Sequence, residues 1–154
     1  MVRLALYQPD IPQNMGTILR LGACLSVPID VIGPTGFDLS DRALRRAGMD
    51  YVQKTDLLRH ISYQHFLDKY QGPSNRLILT TTKTDQTYTD FSYQSDDIIL
   101  LGRESAGVPP QVVDTVDASV TIPMAKNVRS LNIAVAGAMI IGEALRQTKG
   151  FIHS

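Results

Sequence analysis

The sequence predicts an α/β layered domain: a parallel sheet with helices on both faces. Short apolar runs ending at glycine or proline alternate with segments of helical spacing. Such runs suit strands buried on both sides, and their alternation with helices suits a layered α/β architecture. No low-complexity or Pro/Gly-rich stretch divides the 154 residues, so 1–154 reads as a single domain with a sizeable core.

The elements follow in order. Val2–Tyr7, Ile29–Gly33, Leu77–Thr81, Ile98–Leu101 and Val120–Ile122 are predicted strands. Helices are predicted at about Met15–Ser26, Ser40–Ala47, Tyr63–Tyr70, Pro109–Thr115 and Leu131–Thr148. Asn14 is positioned to cap the first helix, whose Ile18, Leu21 and Leu25 share a face. Residues 83–97 are polar and lack apolar periodicity, which predicts a mobile surface connection. The last helix is apolar on nearly every side, with Ala134, Ala138 and Gly142 four residues apart. Such a helix needs cover all round. A second subunit is the natural source in so short a chain, and a homodimer is expected.

Composition narrows the function classes. Fifteen basic residues balance fifteen acidic ones, so there is no global basic excess to mark a nucleic-acid binder, although a local patch would suffice. The single Cys24 excludes an internal disulfide and reads as a buried, inert thiol. Met1 leads directly into the first strand, and the longest apolar run, 133–142, is too short for a membrane span. No membrane association and a cytoplasmic location are expected. Gly-Lys-Ser/Thr loops, Gly-x-Gly-x-x-Gly, Cys-x-x-Cys and His-Glu-x-x-His are absent. His60 and His65 stand five apart, off a common helical face, and read as surface imidazoles; no metal is expected.

Three polar clusters with glycine or helix-capping residues remain: Asn14 to Arg20, Leu101 to Pro109, and Ile122 to Asn132. The last two each follow a predicted strand and precede a predicted helix. In open α/β sheets such loops line the ligand crevice, so both can face one pocket. A structural reading stands beside this one: Glu104 and Ser105 as caps of the following helix, Ser130 as cap of the last, and Arg20 snorkelling to solvent.

These clusters resemble the three motifs of the SPOUT superfamily of RNA methyltransferases, in its ribose 2′-O branch. Asn14-x-Gly16-x-Ile18-x-Arg20 is similar to the first motif, and Gly102-x-Glu104-x-x-Gly107-Val108 to the second. Ile122-Pro123-Met124 with Ser130-Leu131-Asn132 is similar to the third. The likeness covers almost the whole chain. Pro9-Asp10-Ile11-Pro12-Gln13-Asn14, Pro34-x-Gly36-Phe37 and Leu44-Arg45-Arg46-Ala47-Gly48-Met49-Asp50-Tyr51 resemble a minimal subgroup without an added RNA-binding domain.

The resemblance implies a SPOUT-type fold with a C-terminal deep trefoil knot and a homodimer in which one subunit's first motif meets the other's cofactor pocket. It implies S-adenosyl-L-methionine as cofactor, leaving as S-adenosyl-L-homocysteine, held by Thr80, Gly102, Ile122, Ser130 and Leu131. It also implies methyl transfer to the 2′-hydroxyl of the wobble nucleotide, cytidine or modified uridine, in the tRNA anticodon stem-loop, with leucine isoacceptors as substrates. Arg20, Glu104, Ser130, Asn132 and Asn14 are the expected catalytic set. Arg20 approaches the ribose or its phosphate, but a guanidinium with a pKa above about 12 is a poor proton acceptor. Arg20, Arg42, Arg45, Arg46, Lys126 and Arg129 are the expected RNA contacts, which Arg59 and His60 could extend. Another tRNA site, a ribosomal RNA site, or a non-catalytic RNA-binding dimer are the alternative readings.

Overall fold

The computed structural model describes residues 1–46, 50–70 and 72–152. Six strands form one sheet: β1 (Arg3–Tyr7), β2 (Ile29–Ile32), β3 (Leu57–His60), β4 (Leu77–Thr80), β5 (Ile98–Leu101) and β6 (Ala118–Val120). The spatial order is β3-β2-β1-β5-β4-β6, and every pairing is parallel. Five helices connect them: α1 (Pro12–Leu25), α2 (Asp41–Arg46), α3 (Tyr63–Lys69), α4 (Pro110–Val113) and α5 (Ile133–Thr148).

The pleat divides the core in two. Leu4, Leu6, Ile99 and Leu101 point to the side packed by Met15, Ile18 and Leu19 of α1 and by Ile140, Ile141, Ala144 and Leu145 of α5. Ala5, Tyr7, Ile98 and Leu100 point to the other side, against Phe66 of α3 and Val112 of α4. Alternate residues of each strand are thus buried on opposite faces, which is why the strands read as continuous apolar runs. From β1 the chain winds outward to β2 and β3; it later returns to place β5 on the other flank of β1. The loops after β1 and β5 diverge at this switch point, where open sheets form their crevices.

Several sequence expectations shift. The edge strand β3 and a 3-10 turn at Asp50–Gln53 were not predicted. Leu57-Leu58-Arg59-His60 is only partly buried and forms no apolar run, and its register with β2 defines it. The last predicted strand moves to Ala118–Val120, leaving Ile122 in the loop beyond. The predicted end of α2, Ala47, and the Gly48-Met49 pair of the subgroup phrase lie outside the described residues.

Asn14 does not cap α1. The helix starts at Pro12, whose fixed φ suits the first helical position, with Ile11 at the N-cap. Ser130 does not cap α5 either. Asn132 does so, accepting from the amides of Ala134 at 2.8 Å and Val135 at 3.3 Å. Neither Glu104 nor Ser105 caps α4, whose N-cap is Pro109.

Cys24 is exposed, not buried, because it shares the outer face of α1 with Gln13, Thr17 and Arg20. His65 is exposed on α3, but His60 is 2% exposed. Its Nε2 lies 2.8 Å from Asp30, and its Nδ1 lies 3.2 Å from Nδ1 of His65. The buried Asp30 also accepts from Arg3 at 2.6 Å and from the Tyr70 hydroxyl at 2.5 Å. A buried carboxylate needs partners of this kind, and burial in that cluster removes His60 from any RNA-facing surface.

Nor is 83–97 a free loop. Tyr93 and Asp97 are buried, Thr87 bridges Thr121, and Arg76 clamps Asp97 at 2.7 Å and 2.8 Å. Gln147 of α5 accepts from the amide of Tyr93 and donates to the carbonyl of Phe91, both at 2.9 Å. Polar clamps, together with Tyr88, Phe91 and Tyr93 packed on the core, order this segment, and their spacing shows no regular period. No helix among the described residues is long and apolar enough to cross a membrane.

Candidate active site

A cleft of about 560 Å³ opens at the carboxyl ends of β4, β5 and β6, against the start of α1 and of α5. Its floor is apolar, from Leu79, Leu101, Ile122 and Ile133. Its walls are the loops after β4, β5 and β6. Of the residues singled out from sequence, Asn14, Thr80, Gly102, Glu104, Ile122, Ser130, Leu131 and Asn132 all line it. Residues up to 118 positions apart therefore share one surface.

The loop after β5 is tight. Arg103 and Gly107 exchange backbone hydrogen bonds at 3.0 and 2.9 Å. This brings Gly107 so close to Gly102 that a Cβ on Gly102 would stand 2.9 Å from its backbone. Gly107 itself takes φ +62°, a left-handed conformation that favours glycine. Both glycines are therefore needed for the turn that walls the cleft.

A polar chain braces the opposite wall. The amide of Asn132 donates to the Asn14 carbonyl oxygen at 2.9 Å, while its own oxygen caps α5. Asn14 reaches Glu104 at 3.5 Å, the outer limit of a hydrogen bond. Glu104 accepts from the backbone amide of Asp10 at 3.1 Å, and the Ser105 hydroxyl donates to the Asp10 carboxylate at 2.5 Å. Burial, then the neighbouring Asp10 carboxyl, pushes Glu104 above the usual carboxylate range. Hydrogen bonding with Glu104, and then with Ser105, holds Asp10 below it. The two carboxyls are thus shifted in opposite directions, Glu104 toward its neutral form and Asp10 toward its charged form. The Oδ1 oxygen of Asp10 is buried with no hydrogen-bond partner among the described residues.

The remaining predicted residues lie off this cleft. Arg20 projects from the exposed face of α1, its guanidinium carbon 5.3 Å from the centre of the Tyr51 ring. Arg42, Arg45 and Arg46 are exposed on α2, and Lys126 and Arg129 are exposed in the loop before α5. Arg59 is bound to Asp41 and to the carbonyl of Leu39. Asp10, Lys83 and Arg103 were missed as site residues. Asp10 and Arg103 stand inside the quoted motif phrases, but nothing in the spacing assigns them a partner.

The cleft suits a nucleoside-sized ligand bearing polar edges. The Thr80 hydroxyl is buried at its wall with no hydrogen-bond partner among the described residues. Such an orphan is costly unless a ligand or water satisfies it. Among the described residues, no group of three or more His, Cys, Asp or Glu is arranged to hold a metal ion.

A family model described as the SpoU rRNA Methylase family matches residues 1–142, and the chain belongs to that family. Its fold is accordingly the SPOUT type, a parallel α/β sheet with a C-terminal trefoil knot. Within the RNA 2′-O-methyltransferases of that type it is closely related to the group acting at C34 or U34 of tRNA. A tRNA (cytidine(34)-2′-O)-methyltransferase of Beijerinckia indica is 57% identical over 144 residues, covering 94% of this chain and 90% of that protein. A solved structure concerned with 2-OH methylation of C/U34 on tRNA is 39% identical, with a TM-score of 0.88 and 97% of each chain covered. The methyltransferase AviRb of Streptomyces viridochromogenes, solved with the cofactor AdoMet, is 26% identical with a TM-score of 0.81. There the match covers 96% of this chain and 60% of that one.

Proposed function

We propose that this chain, acting as a homodimer in the cytoplasm, transfers the methyl group of S-adenosyl-L-methionine to the ribose 2′-hydroxyl of the tRNA wobble nucleotide. Leucine isoacceptors are the expected substrates. The observation that carries this reading is the convergence of all three motif regions on one cleft, in a chain 57% identical to a tRNA (cytidine(34)-2′-O)-methyltransferase.

When bound, the cofactor supplies an electrophilic methyl group on a sulfonium. Thr80, with its unpartnered hydroxyl, and the backbone around Gly102, Ile122, Ser130 and Leu131 form its bed. The chain's task is to bring the ribose oxygen into line and to ease the loss of its proton. The Asn132–Asn14–Glu104 chain braces the cleft wall where the ribose would approach.

Arg20 acts as an electrostatic organiser, orienting a phosphate through its donor fork, and the hydroxyl proton passes to an RNA phosphate oxygen. In its own subunit Arg20 lies outside the cleft, on the exposed face of α1, and α5 carries an exposed strip that includes Val135 and Met139. Pairing two chains through α1 and α5 would bring Arg20 of the partner subunit to the cleft. Arg42, Arg45, Arg46, Lys126 and Arg129 would extend the RNA surface.

The decisive experiment maps 2′-O-methylated nucleotides by mass spectrometry in tRNA from cells with and without the gene. The wobble methyl group should vanish on deletion. It should return with the wild type but not with Arg20→Ala, which should retain S-adenosyl-L-homocysteine affinity. A methyl group lost from ribosomal RNA instead would favour the ribosomal reading.

A further inference from the structure

The arginines of this chain differ in what they are committed to. Arg3, Arg59, Arg76 and Arg146 each meet a carboxylate. Arg103, which lines the cleft, meets none among the described residues. Yet it is fixed on two sides. Its Nε donates to the carbonyl of Gly107 at 3.1 Å, and its guanidinium carbon lies 5.4 Å from the centre of the Tyr7 ring. Tyr7 is buried and held edge-on by Tyr63, with ring centres 5.6 Å apart. The backbone of Arg103 is pinned by its paired bonds with Gly107.

Its two Nη nitrogens, by contrast, have no hydrogen bond or ion pair among the described residues. The charge of Arg103 is felt by Asp10, but that carboxylate is engaged more strongly by Glu104 and Ser105. A guanidinium already held by stacking and by one donor loses little freedom when it binds, and its free fork matches a phosphate.

The direction in which it leans separates it from the cofactor bed. Tyr7 belongs to the core on the α3 and α4 side of the sheet, whereas Ile122 and the start of α5 belong to the other side. Lys83, a second cation lining the cleft, forms no ion pair among the described residues. Resting on the RNA-methyltransferase reading above, we propose that Arg103 is a substrate-binding residue that takes a backbone phosphate of the RNA at the cleft rim.

The test compares the wild type, Arg103→Ala and Arg103→Lys in the full-length protein. Fluorescence anisotropy measures binding of an anticodon stem-loop RNA across a salt series, and calorimetry measures binding of S-adenosyl-L-homocysteine. Arg103→Ala should weaken RNA binding about tenfold, the size of one lost charge-assisted hydrogen bond. It should also make the slope of log affinity on log salt shallower by about 0.7, as for one phosphate released from single-stranded RNA. Nucleoside affinity should be unchanged. Arg103→Lys should restore the slope but only part of the affinity, since it keeps the charge and loses the fork.

Weaker S-adenosyl-L-homocysteine binding with unchanged RNA binding would assign the guanidinium to the cofactor's carboxylate and overturn the proposal. Unchanged values for both ligands would overturn it too. So would losses of both that lysine does not restore, which would mark Arg103 as a brace of its loop. A wild-type protein that binds no RNA would instead bring down the underlying functional reading.

Discussion

Asn132 links the stability of a helix to the shape of the cleft. Its oxygen satisfies two amides at the start of α5, and its nitrogen holds Asn14. The two duties can be separated. Asn132→Ala should destabilise the fold by about 1 kcal/mol, the usual cost of a lost N-cap, and should impair transfer. Asn132→Asp keeps the capping oxygen but cannot donate to Asn14, so urea unfolding should stay near wild type while methyl transfer falls. Gly102 is tested in the same way. An added Cβ would press into Gly107, so Gly102→Ala should push the loop after β5 out of place. The expected result is S-adenosyl-L-homocysteine affinity reduced by at least about tenfold, the equivalent of roughly 1.4 kcal/mol, with a thermal transition close to wild type.

At the scale of elements, the carboxyl-terminal half of α5 fastens the segment 83–97 to the sheet. Glu143 accepts from Arg146 at 2.9 Å and from Gln147 at 2.7 Å, and Gln147 in turn holds Tyr93 and Phe91. Arg146, and then Gln147, lowers the Glu143 carboxyl to about 2 from an ordinary 4.5. A depressed acid stabilises the folded state fully above its unfolded value. That contribution is lost as pH falls from about 4.5 toward 2. Urea unfolding should therefore show Glu143→Gln less stable than wild type at neutral pH, with the gap closing over that acid range. A constant gap would mean that the charge is not what stabilises this end of the helix.

On the scale of the whole molecule, the open question is what covers α5. Its inner face is packed, but Val135 is 49% and Met139 37% exposed, and the outer face of α1 that carries Arg20 is exposed as well. Charging this strip with Val135→Glu and Met139→Glu should yield a monomer by analytical ultracentrifugation. Methyl transfer should be lost with the Arg20 of the partner subunit, while the fold remains. A dimer that persists would move the interface elsewhere.

Much of the sheet was legible because its strands are buried on both sides, and unbroken apolar runs record that burial directly. Five strands and five helices were placed to within a few residues. The edge strand β3 escaped because it is only partly buried and its Arg59 and His60 break any apolar run. The order of 83–97 escaped because it comes from Arg76 and Gln147 reaching in from distant elements and from Tyr88, Phe91 and Tyr93 packing on the core without a regular period.

The site was legible in part, as three ordered motifs at strand and helix junctions. By itself the sequence determined the α/β class, the family resemblance and the motif residues that line the cleft. These are properties of local pattern, written in apolar spacing and in glycines that turns require. Only the tertiary structure decided which side chains meet: Asn132 with Asn14, Asp10 with Glu104, His60 with Asp30, and Arg103 with Tyr7. Polar pairing depends on distances that the crossing of strands and helices sets, and no spacing along the chain encodes them.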